Sequence, residues 1–179
     1  MDRGKVKKIT EKARKIKIFA MDVDGVLTDG RIAIYESGEE LKFWNVKDRI
    51  AFFILKRLGY KTCWISGRNC TQVQNMAKDL FVDGVWIGVL QKVPVYKELK
   101  KKFKVRDEEI LFIGDDLVDI SILKKCGLSF CPSDACEEVK KVCDIVLKKK
   151  GGDGAFREAV EIVLKAKEQW KDVQKFYGF

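Results

Sequence analysis

Histidine is absent from all 179 residues of this chain. An acid or base working near neutral pH must therefore be a carboxylate, lysine, cysteine or tyrosine, and hydrolysis through a histidine-centred triad is excluded. Long apolar runs are missing as well. The longest, Ile50 to Leu55, falls far short of the roughly 20 residues a membrane-spanning helix needs. The N-terminal stretch Lys5 to Lys17 alternates lysines with isolated apolar residues, where a signal peptide would carry a continuous core. A soluble, cytoplasmic protein with no membrane partner is expected. The six cysteines lack any C-x-x-C pair: Cys63 and Cys70 stand alone, and Cys126, Cys131, Cys136 and Cys143 follow at wider intervals. Reduced, half-buried packing thiols are expected in preference to a thiolate metal site. No internal repeat or low-complexity linker interrupts the chain, so its length and 46% hydrophobic content point to one domain over residues 1–179.

What is plentiful is positive charge: 36 Lys and Arg against 27 acids, a formal net charge of +9. Charge alone leaves nucleic acid, a membrane surface or a small anionic substrate open. The basic residues at Lys5 to Lys17, Lys97 to Lys104 and Lys148 to Lys150 alternate with acids and apolar positions. That is the pattern of solvated helix faces, and it disfavours a nucleic-acid partner.

Short β-rich apolar runs (Ile16 to Met21, Thr62 to Ile65, Phe81 to Trp86, Ile110 to Ile113, Leu128 to Cys131, Ile145 to Leu147) alternate with helix-like segments at Ile50 to Leu58, Thr71 to Leu80, Pro94 to Phe103, Ile120 to Lys125 and Ala155 to Gln169. This rhythm predicts an α/β fold with a Rossmann-like, mainly parallel sheet and helices on both faces. One stretch breaks it. Arg31 to Tyr35 and Leu41 to Val46 alternate around Glu36-Ser37-Gly38-Glu39, which predicts a protruding β-hairpin over about 31–46.

The first predicted strand runs into Asp22-Val23-Asp24-Gly25-Val26-Leu27-Thr28-Asp29-Gly30. Its carboxylates then leave the C-terminal edge of the sheet, where open α/β sheets bind ligands. Near-extended backbone would place Asp22 and Asp24 on one side. Three further segments aim polar groups at the same edge: Ser66-Gly67-Arg68 after one strand, Gly114-Asp115-Asp116-Leu117-Val118-Asp119 after another, and Lys92 before a helix opened by Pro94.

These four segments, in this order, resemble the four motifs of the haloacid-dehalogenase superfamily. The fuller strings Asp22 to Gly30, Trp44-Asn45-Val46-Lys47-Asp48, Gly114 to Asp119 and Gly151-Gly152-Asp153-Gly154-Ala155-Phe156-Arg157-Glu158 resemble one subfamily, the 3-deoxy-D-manno-octulosonate 8-phosphate phosphatases of lipopolysaccharide precursor synthesis. The resemblance spans roughly Lys15 to Leu164. It implies a phosphatase in which Asp22 attacks phosphorus to form an aspartyl-phosphate, Asp24 serves as acid and base, and Ser66 and Lys92 hold the transferring phosphoryl oxygens. It implies Mg²⁺, held by the Asp22 carboxylate, the Asp24 main-chain carbonyl and Asp115, since crowded carboxylates beside a phosphate need a hard cation. Asp116 and Asp119 would support that site from behind or cap a helix start. Substrate contacts are implied for Asp24, Asn45, Lys47, Asp48, Gly67, Arg68 and Lys92, the substrate being a small anionic sugar phosphate.

Only 41 residues separate Asp24 from Ser66, and 25 separate Ser66 from Lys92. Neither interval holds a cap domain. An uncapped site is open to water unless something covers it, and the resemblance implies a homotetramer in which the hairpin of one subunit meets its neighbours. The chain departs from the subfamily pattern at Arg49 and Ala51, which replace a Gly-x-Gly; at Met76, in place of an arginine; at Gln91, in place of an acid; and at Asp153, in place of another arginine. These changes touch substrate recognition more than phosphoryl transfer. Arg49 or the aromatic tail Trp170 to Phe179 could serve the site instead, or be surface and packing residues. A nonulosonate 9-phosphate stays open as an alternative substrate, as does a catalytically degraded binding module.

Overall fold

The computed structural model describes residues 3–178; Met1, Asp2 and Phe179 lie outside the described residues. Along the chain the strands are β1 (Ile18–Met21), β2 (Ala33–Ile34), β3 (Glu40–Leu41), β4 (Lys61–Ile65), β5 (Gly84–Trp86), β6 (Ile110–Ile113), β7 (Leu128–Cys131) and β8 (Ile145–Val146). The helices are α1 (Arg3–Lys15), α2 (Val46–Arg57), α3 (Thr71–Asp79), α4 (Lys92–Phe103), α5 (Ile120–Leu123), α6 (Glu137–Val142), α7 (Ala155–Ala166) and α8 (Trp170–Tyr177).

Six strands form one parallel sheet in the order β5-β4-β1-β6-β7-β8. From β1 the chain builds outward through β4 and β5, then crosses to the other side of β1 for β6. That reversal opens a crevice beyond the C-terminal end of β1. The strands are apolar at successive positions because both faces are covered. Phe19, Met21, Trp64, Leu111, Ile113 and Phe130 point into a core closed by α1, α2, α3 and α7; Ile18, Ala20, Cys63, Ile65, Ile110, Phe112 and Cys131 point into a second core under α4, α5 and α6. Helices on both faces of a mainly parallel sheet are what the βαβ rhythm predicted.

Several boundaries differ, each for a local reason. Asn45 caps α2 by accepting from the Lys47 amide (2.9 Å), so the helix starts at Val46 instead of Ile50 and ends the second hairpin arm early. The hairpin is correspondingly small: β2 and β3 pair antiparallel over Ala33↔Leu41 and Ile34↔Glu40. Lys92 is the first residue of α4, not the residue before it. Pro94 still falls in the first turn, where a missing N–H leaves no bond unmade. The lysine-rich start is an amphipathic helix whose Ile9 and Ala13, with Ile16 just beyond, share one buried face. The segment expected to be helical to Gln169 divides at Glu168, whose φ of 60° reverses the chain into α8.

α8 packs against the far end of α2. Val173 is buried there, and the Arg57 guanidinium lies 3.8 Å over the Phe176 ring. A 12-residue helix is about 18 Å long, so this contact is well away from the Asn45 end of α2. The tail therefore does not fold over its own crevice. The cysteines are free, with Cys63, Cys70 and Cys131 buried and Cys126, Cys136 and Cys143 half-buried.

Candidate active site

Register brings the motif residues together. Met21 aligns with Trp64 on one side and Ile113 on the other, so Asp22, Ser66 and Asp115 all leave the sheet at one edge. The Asp22 amide donates to the Ile113 carbonyl (2.9 Å), which carries the alignment one residue past β1.

There the backbone turns. The Leu27 amide donates back to the Val23 carbonyl (2.9 Å), and Gly25 adopts a φ of 87°. This overturns the extended-backbone reading of Asp22 and Asp24: the two carboxylates part and find different partners. Gly25 is needed twice over, because its φ is left-handed and a Cβ there would overlap the Asp115 carboxylate. Asp29 is exposed and accepts from the Arg31 amide (3.0 Å), away from the cluster.

Asp22 is 7% exposed. Its Oδ1 accepts from the Val23 amide (2.7 Å), and its Oδ2 lies 2.9 Å from Lys92 Nζ. Lys92 is itself buried and reaches Asp119 Oδ1 at 2.7 Å. Asp119, fully buried, accepts from the Asp115 amide through Oδ2 (3.1 Å). Asp116 is exposed and caps the turn of Leu117–Asp119 through the Leu117 amide (2.7 Å). Of the two roles open to these acids, Asp116 thus takes the cap and Asp119 supports the lysine.

Oxygens of Asp22, Asp115 and Asp119 lie within 4.8 Å of one another. Burial, followed by the Asp119 charge, pushes Asp22 up to about 7; the Lys92 ammonium opposes this and does not overcome it. Burial, with Asp22 and Asp119 behind it, pushes Asp115 up to about 8. Lys92 is held above its ordinary range by the two carboxylates despite its burial. Asp115 Oδ1 is buried and has no hydrogen-bond partner among the described residues. A crowd of carboxylates with an orphaned oxygen is completed by a hard dication, so the residues fit Mg²⁺, with Asp115 Oδ1 open to it and Asp22 beside it held by Lys92 and the Val23 amide. The Asp24 carboxylate stands outside this trio, as a ligand acting through its main-chain carbonyl can.

Ser66 is buried at the end of β4, and its Oγ accepts from the Arg68 amide (3.2 Å). Gly67 continues that turn. Arg68 does not point freely into the crevice: its guanidinium pairs with Glu40 of the hairpin. That contact holds Glu40 down at about 2, with help from Lys42.

The Asn45-to-Asp48 motif serves the frame around the site. Asn45 Nδ2 donates to the Gly152 carbonyl (3.2 Å). Asp48 is buried and accepts from the Arg157 amide (2.7 Å), capping α7 where Gly154 has no side chain to do so. Burial pushes Asp48 up to about 6. Lys47 is exposed beside Gly154. The glycine-rich stretch seats on the loop that follows Asp22: the Gly152 amide donates to the Val26 carbonyl (3.1 Å), and a Cβ on Gly151 would overlap the Gly25 carbonyl.

Among the departures, Arg49 pairs with Asp79 (2.7 Å) and contacts the Met76 sulfur (3.0 Å), so it is a surface link between α2 and α3. Ala51 is buried, Gln91 is exposed, and Asp153 meets Lys149 (3.3 Å). Sequence reasoning missed Lys42. Its side chain is fully buried and its Nζ lies 2.5 Å from Asp24 Oδ1 and 3.3 Å from Glu40 Oε2. The available signal was a lysine placed between Leu41 and Phe43, in an arm otherwise read as alternating.

Comparison with known proteins gives a consistent result. A haloacid dehalogenase-like hydrolase family matches residues 85–158. The 3-deoxy-D-manno-octulosonate 8-phosphate phosphatase KdsC of Haemophilus influenzae is 36% identical over 169 residues, covering 94% of each chain. A probable YrbI family phosphatase from Pseudomonas syringae pv. phaseolica superposes with a TM-score of 0.93 at 31% identity, over 97% of this chain and 98% of that one. The Moraxella catarrhalis 3-deoxy-D-manno-octulosonate 8-phosphate phosphatase, solved with a magnesium ion, a phosphate ion and a KDO molecule, superposes with a TM-score of 0.92 at 34% identity, over 95% and 98%.

Proposed function

The chain belongs to the haloacid-dehalogenase-like hydrolases, among the relatives of the octulosonate 8-phosphate phosphatases, and we propose on that premise that it is a Mg²⁺-dependent phosphatase acting on 3-deoxy-D-manno-octulosonate 8-phosphate. The observation that carries this reading is the trio Asp22, Asp115 and Asp119 around Lys92 at the C-terminal end of the central strand.

In this reading Asp22 attacks phosphorus while the bond to the leaving sugar oxygen breaks, and Asp24 gives that oxygen its proton. Asp24 then takes a proton from water as the water oxygen bonds to phosphorus and Asp22 is released. Lys92 and the Ser66 turn hold the remaining phosphoryl oxygens. Asp22, the Asp24 carbonyl and Asp115 would hold Mg²⁺, which would neutralise charge between the carboxylates and the phosphate. Lys92 has a second duty: it keeps Asp22 and Asp119 from repelling each other apart.

The same reading extends to one catalytic domain over residues 1–179, supported by the glycine-rich stretch that buttresses the catalytic loop from late in the chain. It also includes a homotetramer, supported by the hairpin, whose Ile34, Tyr35 and Phe43 are 56–69% exposed. A cytoplasmic setting in lipopolysaccharide precursor synthesis goes with that substrate; no described helix is long and apolar enough to cross a membrane. A nonulosonate 9-phosphate is the second candidate, because the chain departs from the octulosonate pattern and two candidate substrate-binding cations, Arg49 and Arg68, are already paired with acids.

The test is phosphate release from octulosonate 8-phosphate, nonulosonate 9-phosphates and simple sugar phosphates, with Mg²⁺ or chelator. Turnover that needs Mg²⁺ and falls at least about 10⁴-fold in Asp22→Asn is expected. A folded protein that releases no phosphate from any of them points to a binding module instead.

A further inference from the structure

We propose that Lys42 is a positioning residue for the general acid and base: its buried ammonium holds Asp24 by Oδ1 and presents Oδ2 to the oxygen that gains or loses the proton. This inference rests on the phosphatase reading above.

Lys42 lies just past β3, outside any regular element, yet it is fixed at both ends. Its amide donates to Gln72 Oε1 (2.8 Å) and its carbonyl accepts from Gln72 Nε2 (3.2 Å), so one carboxamide on α3 clamps its main chain. Its side chain is fully buried. A buried ammonium is expensive unless paired, and the nearer of its two partners is Asp24, on a different segment of chain. Glu40 alone could satisfy a lysine whose only task was to brace the hairpin. Instead the ammonium reaches across to the catalytic loop, while Glu40 is held on its other side by Arg68. Gln72, Glu40 and Arg68 thus determine where Lys42 stands, and Lys42 determines where Asp24 stands.

Both halves of the reaction depend on that placement. In the first, the phosphorus–sugar oxygen bond breaks, the Asp24 proton moves to that oxygen, and the Asp22–phosphorus bond forms. In the second, a water oxygen bonds to phosphorus, its proton moves to Asp24, and the Asp22–phosphorus bond breaks. A misplaced acid slows departure of an alkoxide far more than departure of p-nitrophenolate, which leaves without a proton. A misplaced base slows the second half for both substrates.

The experiment compares wild type, Lys42→Met and Lys42→Arg, each with Mg²⁺, on the preferred sugar phosphate and on p-nitrophenyl phosphate, with rapid-mixing kinetics and thermal melts. For Lys42→Met, kcat on the sugar phosphate should fall about 100-fold while KM stays within about twofold. On p-nitrophenyl phosphate the same variant should release one nitrophenolate per site in a rapid burst, at a rate within about threefold of wild type, followed by slow turnover. Lys42→Arg keeps a cation and should recover about 10-fold of the lost kcat. The positioning role is overturned by an unchanged kcat in Lys42→Met. It is overturned equally by parallel losses in burst rate, KM and melting temperature, which would mark Lys42 as a brace for the fold. An inactive wild type would overturn the phosphatase reading itself, whereas an active wild type beside an indifferent Lys42→Met overturns only this inference.

Discussion

Two acids two residues apart, Asp22 and Asp24, end in opposite electrostatic surroundings. Asp22 faces Asp115 and Asp119 with a single lysine between them, and burial raises both Asp22 and Asp115 above the ordinary carboxylate range. Asp24 faces Lys42, in a chain of alternating charges that continues through Glu40 to Arg68. The first region has an excess of negative charge that a cation from outside would balance. The second is balanced from within. The difference separates two settings that the motif Asp-x-Asp places side by side, and it matches the two duties proposed for them: one carboxylate in a crowd that a dication would balance, the other held apart by a lysine of its own.

Removing the lysine from the crowded side should have the largest effect on stability. Lys92→Met leaves two buried carboxylates, Asp22 and Asp119, without their cation, and chemical denaturation at neutral pH without Mg²⁺ should show a loss of about 3–5 kcal/mol. A loss under about 1 kcal/mol would mean that the crowd relaxes without its lysine.

Saturating Mg²⁺ should act in the other direction. At a hundred times its dissociation constant a native-state ligand adds about 2.7 kcal/mol, and Asp115→Asn should erase most of the resulting rise in melting temperature. In chelator the sign reverses. Asp115 in the folded protein titrates at about 8 against an ordinary 3.8, so the folded state keeps a proton that the unfolded chain has released. Metal-free stability from this group is therefore full at low pH and is lost as pH climbs from about 4 toward 8. Asp115→Asn, which carries no charge to lose, should gain on wild type steadily between pH 5 and pH 8; an advantage that does not grow with pH would count against a strained Asp115.

The balanced side should show a smaller effect with the opposite pH sense. Glu40 is held at about 2 against an ordinary 4.5, first by Arg68, so its contribution is present above the ordinary value and disappears as pH falls toward 2. Arg68 is nearly half exposed, and solvent screens the pair. Glu40→Gln should cost no more than about 1 kcal/mol at pH 7, converge with wild type near pH 2, and leave the Mg²⁺ response intact. A Mg²⁺ response that changed with Glu40 would show that the two regions are coupled.

How far the sequence could be read follows the same division. The crowded side was legible, because Asp22, Ser66, Lys92 and Asp115 each close or precede an element with a clear apolar period, and the parallel register then collects them at one edge. β6 and β7 matched their apolar runs residue for residue. The balanced side was not legible. Lys42 and Gln72 meet through side-chain to main-chain bonds between a hairpin arm and a helix 30 residues on, and no local period announces such a contact. The structural role of Asp48 is hidden for a related reason: its Oδ1 caps a helix 109 residues away. The hairpin is shorter than its alternation suggests because the Lys42 main chain bonds to Gln72 just past Leu41 and Asn45 caps a helix.

The seat of Gly151 and Gly152 on the loop of Gly25 and Val26 has a consequence in time. The loop acquires this backing only when the later segment arrives, as does Asn45, which binds Gly152 from 107 residues away. During synthesis Asp22 leaves the ribosome well before Gly151 and Gly152, and the loop beside it stays unsupported until they follow. A chain halted between the two segments would carry the acids of the first without the means to place them.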